Sequence, residues 1–188
     1  MKIHIEPYNP NWKIEFEEIR EVYLRQLERL QVAIEHVGST SVPGLSAKPI
    51  LDIDIIVKGK QFLPEITARL ENLGYISEGE LGIRGRFSFK QKNAFTPFVD
   101  SPKQWQSHHL YVCLADSLAL RNHLLFRDTL KKSEDLIEKY TELKLALTDK
   151  REITREEYTK RKTDFIISVL AKAGLDESQL KEITNANS

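Results

Sequence analysis

The chain has 188 residues, and 28 lysines and arginines balance 28 aspartates and glutamates, leaving zero net charge with its 5 histidines neutral. That length suits one domain, or a domain with a helical appendage, and the charge balance excludes a global field that would draw in nucleic acid or membrane. A single cysteine, Cys113, excludes an internal disulfide and a multi-cysteine zinc site, and the absence of a signal-like or spanning apolar run predicts a soluble, cytoplasmic protein with no membrane partner.

In chain order, Trp12, Phe16, Ile19, Tyr23, Leu27 and Leu30 recur every three or four residues and predict an amphipathic helix started by Asn9-Pro10-Asn11. Residues 32–37 read as a short strand leading into a glycine-serine turn, and residues 49–58 as a core strand. A second helix is predicted over 61–73, closed by Gly74 in the left-handed conformation. Residues 75–77 form a weak strand, residues 84–91 a better one, and residues 109–114 another. Residues 92–107 read as a long loop, a length often associated with function.

Beyond residue 115 only helices are predicted. Asp116 or Ser117 caps one to about Lys132, Ser133 caps a second to about Leu147, and the Thr154 capping box opens a third that ends before Gly174. The polar end, residues 175–188, reads as a fraying tail. The fold class is therefore α+β: a sheet core over about residues 1–115 and a helical cap over 116–174 in one domain, 1–174.

The chemistry concentrates in residues 36–57. Alternation along a strand puts Asp52 and Asp54 on one face, roughly 6 to 7 Å apart at about 3.3 Å per residue, while Leu51, Ile53, Ile55 and Val57 face the core. Two carboxylates among large aliphatics are costly unless a cation or cationic side chains neutralise them, and such a pair suits a hard divalent ion. Gly38 allows positive φ or close backbone approach to a phosphate, and the Ser39 and Thr40 hydroxyls can donate to phosphate oxygens. Read alone, that turn is equally an ordinary connection capped by hydroxyls.

The glycine-serine turn, spacer and aspartate-hydrophobic-aspartate strand resemble the signature of polymerase-β-like nucleotidyltransferases. The string His36-Val-Gly-Ser-Thr-Ser-Val-Pro-Gly-Leu-Ser-Ala-Lys-Pro-Ile50, followed by Asp52, resembles the hallmark of one branch, the GrpB family. The likeness continues through residues 79–86, 109–112 and 126–130, then Tyr140, Lys144, Tyr158 and Lys162. It implies a nucleotidyltransferase-like mixed sheet flanked by helices, with Mg2+ on Asp52 and Asp54 and a nucleoside triphosphate, ATP foremost, as partner. Gly38, Ser39, Thr40, Lys48, Arg86 and Arg127 would bind its phosphates. The implied reaction is attack of an acceptor hydroxyl on the α-phosphate, with metals about 3.5 to 4 Å apart and pyrophosphate leaving. The acceptor is unknown.

One departure bears on catalysis. Enzymes of this superfamily place a third carboxylate on a neighbouring strand, where residues 84–91 and 109–114 carry none. Glu80 is the best substitute, and His109 is the candidate general base. The family's common second histidine is replaced by Tyr111. Simpler roles are assigned elsewhere: Cys113 as a small buried hydrophobe, His108 as structural, His36 as a buttress of the turn, and Lys144 and Lys162 as solvated helix faces. Lys48 pairing with an aspartate and Arg127 bridging helices through Asp128 or Glu134 stand beside their phosphate roles. Two function classes follow: a Mg-dependent nucleotidyltransferase, or a nucleotide- or phosphate-binding module that has lost turnover. Nucleic-acid binding is disfavoured by the charge balance.

Overall fold

The computed structural model describes residues 4–149 and 154–186. Helix α1 (Asn11–Gln26) starts where the Asn9 side chain accepts a hydrogen bond from the Asn11 backbone at 3.0 Å. Strand β1 (Ala33–Val37) leads through the turn into β2 (Leu51–Val57), and α2 (Leu63–Asn72) is closed by Gly74 at φ 90°. Then come β3 (Tyr75–Gly79), β4 (Arg86–Gln91) and β5 (His108–Leu114). The sheet order is β1-β2-β5-β4-β3, with β2 and β5 parallel and the other neighbours antiparallel.

The alternation expected of β2 is what divides the molecule. Leu51, Ile53, Ile55 and Val57 are at most 1% exposed and pack in one core with Trp12, Phe16, Ile19 and Tyr23 of α1 and Ile66 and Leu70 of α2. Each such side chain contributes roughly 1.5–3 kcal/mol on burial. Asp52 and Asp54 therefore face the other side, where the C-terminal helices lie.

Those helices are α3 (Leu118–Lys131), α4 (Glu134–Asp149), α5 (Arg155–Lys172) and α6 (Glu177–Ala186). Ser117, Ser133 and Thr154 accept backbone hydrogen bonds at their starts, as the capping pattern predicts. A second core of Val42, Leu45, Phe126, Leu130, Tyr140, Val169 and Leu170 holds the cap together. The sheet face bearing the aspartates is thus roofed by a layer with its own apolar interior.

Three boundaries differ from expectation. Strand β3 extends to Gly79 through an irregularity after Ser77, and β4 begins at Arg86 because residues 80–85 turn sharply, with Leu81, Gly82 and Gly85 at positive φ. Residues 177–186 form α6 where a fraying tail was expected. Asp176 and Gln179 exchange side-chain to backbone hydrogen bonds at its start, and Leu175 and Ile183 are buried in the second core. Polar residues fill its outer face and hide this periodicity. Residues 187–188 of the expected tail lie outside the described residues.

Candidate functional site

The glycine-serine turn is fixed before any ligand arrives. Gly38 takes φ 68°, and a Cβ there would lie 2.8 Å from Asp52 Cγ, so glycine lets the turn close directly onto the carboxylate. His36 supports the turn from behind: its Nε2 and the Thr40 hydroxyl are 3.0 Å apart, and its ring stacks on Phe16 at 4.6 Å. Burial lowers the His36 pKa to about 4 against the pull of Asp52, so the ring is neutral. Thr40 is 1% exposed and also donates to the Ile50 carbonyl, which turns its hydroxyl inward and away from the phosphate role expected of it. Ser39 is half-buried, with its hydroxyl turned toward Lys144.

Asp52 lies opposite His109 on the parallel strand β5, and the imidazole Nδ1 approaches Asp52 Oδ1 at 3.0 Å. That hydrogen bond raises the His109 pKa; burial and the nearby Lys48 and Arg86 charges oppose it. Asp54 is fully buried. Its Oδ2 meets His123 Nδ1 at 2.8 Å, while Oδ1 has no hydrogen-bond partner. A buried carboxylate oxygen left in this state is costly unless a cation reaches it. The pair therefore fits a divalent metal on its donor chemistry and on its one open oxygen.

The cations gather on the Ser39 side. Lys144 of α4 is 2% exposed and donates to Ser39 Oγ at 3.3 Å and to the Ser46 carbonyl. Burial, with the Lys162 charge adding to it, lowers its pKa to about 7. Lys162 of α5 is likewise lowered by burial, with Asp52 opposing, and both Lys162 and Lys48 lie over the Tyr158 ring. Lys144 and Lys162 are therefore not the solvated helix faces their sequence spacing suggested. They point inward at the turn and the carboxylate.

Other expected residues are placed differently. Arg86 sits over the Tyr111 ring at 4.5 Å, on the Asp54 side, and its Nε is buried without a partner. Arg127 is engaged by Glu35 at 2.6 Å, Asp128 at 2.7 Å and the His36 carbonyl at 2.9 Å, so it ties α3 to β1 instead of facing a phosphate. Glu80 accepts from the Gly85 backbone at 2.9 Å within its own loop. Gly79, its neighbour, pairs with Ser88, which pairs with Tyr111, which pairs with Asp54. Three strand spacings put that loop about 14 Å from Asp54. Glu80 does not join the two aspartates.

The simpler assignments made for His108 and Cys113 match their burial. Tyr75 bonds His108 Nε2 at 2.5 Å and Tyr23 bonds Tyr75 at 2.6 Å, while His108 Nδ1 donates to the Gln106 carbonyl. The loop before His108 is bolted to α1 and α2 through Lys103 to Glu18 and Phe98 to Leu73. His123 is the residue that sequence reasoning missed. It shares the stripe His123, Phe126, Arg127, Leu130 on the buried face of α3, and a histidine on such a stripe was the available signal.

A mixed five-stranded sheet with paired aspartates beside a glycine-serine turn, roofed by helices, defines a nucleotidyltransferase-like fold. A structure of Cid1 with its short product ApU shares this fold at TM-score 0.51 and 12% identity, over 73% of this chain and 41% of that one. The chain belongs to the GrpB family: residues 2–172 match the family model described as GrpB protein. UPF0157 protein PA4798 of Pseudomonas aeruginosa is 34% identical over 92% of this chain and 68% of its own length. UPF0157 protein YqkA of Bacillus subtilis is 30% identical over 88% of this chain, which spans only 45% of that relative. The crystal structure of conserved protein GrpB from Enterococcus faecalis matches at TM-score 0.75 and 28% identity, covering 95% of this chain and 98% of that one. No helix among the described residues is long and apolar enough to cross a membrane.

Proposed function

We propose that this chain binds a magnesium-nucleoside triphosphate, ATP foremost, between the sheet and the helical cap and transfers its nucleotidyl group to an acceptor hydroxyl. The observation that carries the reading is the pairing of an unsatisfied, fully buried Asp54 oxygen with inward lysines at the adjacent turn. Asp52 and Asp54 would hold the metal, which would neutralise phosphate charge and polarise the α-phosphate. Ser39, the Gly38 backbone, Lys48, Lys144 and Lys162 would receive the triphosphate. Lys144 and Lys162 are buried cations short of counter-charge, so a polyanion relieves the cost that lowers their pKa values.

His109 would act as base. Its Nδ1 proton is held by Asp52, which leaves Nε2 as the acceptor and keeps the imidazole basic, the arrangement of a carboxylate-oriented general base. This takes the place of the third carboxylate that Glu80 does not supply. The position of Glu80 favours a second reading, a nucleotide-binding module without turnover. A thermal-shift panel of nucleoside triphosphates with and without Mg2+, repeated on Asp52→Asn, tests the common step. A metal-dependent rise lost in the variant supports the site, and an unchanged rise overturns it. Pyrophosphate release on addition of cell extract, abolished by His109→Gln, separates transferase from binder.

A further inference from the structure

We propose that Asp54, Cys113 and His123 form a binding site for one zinc-class divalent ion where β2, β5 and α3 meet. A carboxylate oxygen, the thiol sulfur and an imidazole nitrogen lie within 4.8 Å of one another. Bonds of about 2.0 to 2.3 Å in a tetrahedral site set ligands about 3.3 to 3.6 Å apart, so small side-chain adjustments convert this cluster into three ligands. Asp54 is fully buried, and no nitrogen or oxygen donor reaches its Oδ1; the Cys113 thiol is the group that hydrogen-bonds this carboxylate from the sheet. An oxygen buried with no nitrogen or oxygen donor is the sign that a cation belongs beside it.

The donor set chooses the ion. Magnesium takes oxygen ligands, whereas thiolate and imidazole beside one carboxylate suit zinc and its neighbours. The Cys113 thiol is fully buried beside Asp54, and its hydrogen bond to that carboxylate holds the proton in the absence of a cation. A bound divalent ion reverses that balance and takes the thiolate. Of the three ligands, His123 alone also borders a cavity of about 50 Å³, which it lines with Arg84, Arg86, Asn122 and Glu182.

The site shares Asp54 with the nucleotide reading and takes its other two ligands, Cys113 and His123, from residues that reading does not use. It would clamp the cap helix α3 to both central strands. Cys113 is the only cysteine in the chain, so a thiolate-to-cobalt charge-transfer band can arise nowhere else.

The test is titration of chelator-treated full-length protein with Co2+ in thiol-free buffer, followed by Zn2+ and by Mg2+. The band is expected to saturate near one equivalent, to be displaced by Zn2+ but not by Mg2+, and to be lost in Cys113→Ala. It should persist in Asp52→Asn, which removes the magnesium-nucleotide response, so the two readings fail separately. Zinc should also raise the thermal midpoint of the wild type and leave that of Cys113→Ala unmoved. If Cys113→Ala does not fold, His123→Gln is the second variant, with loss or marked weakening of the band expected. A wild type that shows no band, or a His123→Gln that binds cobalt with unchanged affinity and spectrum, overturns the proposal.

Discussion

Replacing Lys144 by methionine should stabilise the protein and weaken the nucleotide binding proposed for it. Lys144 is 2% exposed, and burial lowers its pKa from the ordinary 10.5 to about 7. The sign follows from proton counts: between those values the unfolded chain holds a proton that the folded chain releases, so stability rises with pH. At about pH 6 the ammonium is charged in both states and its burial costs about 5 kcal/mol; at about pH 9 the cost has fallen to about 2 kcal/mol. Methionine removes this cost and also the bonds to Ser39 and the Ser46 carbonyl, leaving a buried acceptor short of a donor at about 1–3 kcal/mol. A net gain of about 2 kcal/mol near pH 6 should shrink by about 3 kcal/mol and vanish or reverse near pH 9. Urea unfolding of both proteins at the two pH values measures it, and nucleotide titration should show weaker binding in the methionine variant. A stability difference between variant and wild type that is the same at both pH values refutes the reasoning.

Other substitutions probe separate parts of the site. Gly38→Ala forces a side chain to φ 68° and against Asp52, at about 1–3 kcal/mol for the backbone alone, and should lower the thermal midpoint by roughly 2–12 °C. Asp52→Asn removes the hydrogen bond that raises the His109 pKa, so histidine NMR titration should show that pKa fall; an unmoved titration contradicts the pairing. Tyr75→Phe strips a partner from both Tyr23 and His108 and should cost about 1–3 kcal/mol, more than Tyr23→Phe, by chemical denaturation. The His108 pKa is lowered to about 4 by burial, so its contribution to stability is complete above its ordinary 6.5 and lost as pH falls toward about 4. Against a His108→Gln reference, wild-type stability should drop by up to about 3 kcal/mol across that window.

The sheet and its helices were legible because the signals were local. Alternation in β2 needs only neighbouring residues, and serine or threonine caps announce themselves within four positions. The placing of Asp52 and Asp54 on one strand face beside the Gly38-Ser39 turn was legible for the same reason, since these residues lie within one turn and strand. His123, Lys144 and Lys162 were missed or taken for surface because their meaning depends on which way a cap helix faces. That orientation is set by packing of Phe126, Leu130, Tyr140 and Val169, contacts between segments far apart in the chain. Glu80 and Arg127 erred in the opposite direction. Their motifs lie near the site in sequence, but a turn with three positive-φ residues and a pair of carboxylates, Glu35 and Asp128, hold each in place.

Zero net charge hides how the charges are distributed for a related reason. Strands β1 and β2 bring Glu35, Asp52 and Asp54 to the interface, while helices α3, α4 and α5 bring His123, Arg127, Lys144 and Lys162 against them. The charges cancel in the sum but are sorted by layer. Two of the contacts, His123 with Asp54 Oδ2 and Arg127 with Glu35, join the cap to the sheet. Among the described residues neither Lys144 nor Lys162 forms an ion pair, and burial is the main cause of their lowered pKa values, with Asp52 partly opposing it at Lys162. Cap docking therefore consumes part of the positive charge and leaves the remainder concentrated at the Ser39 turn, in a setting where burial strengthens its pull on an anion. A composition average cannot register such a division, because it depends on where the layers meet and not on how many charges each carries.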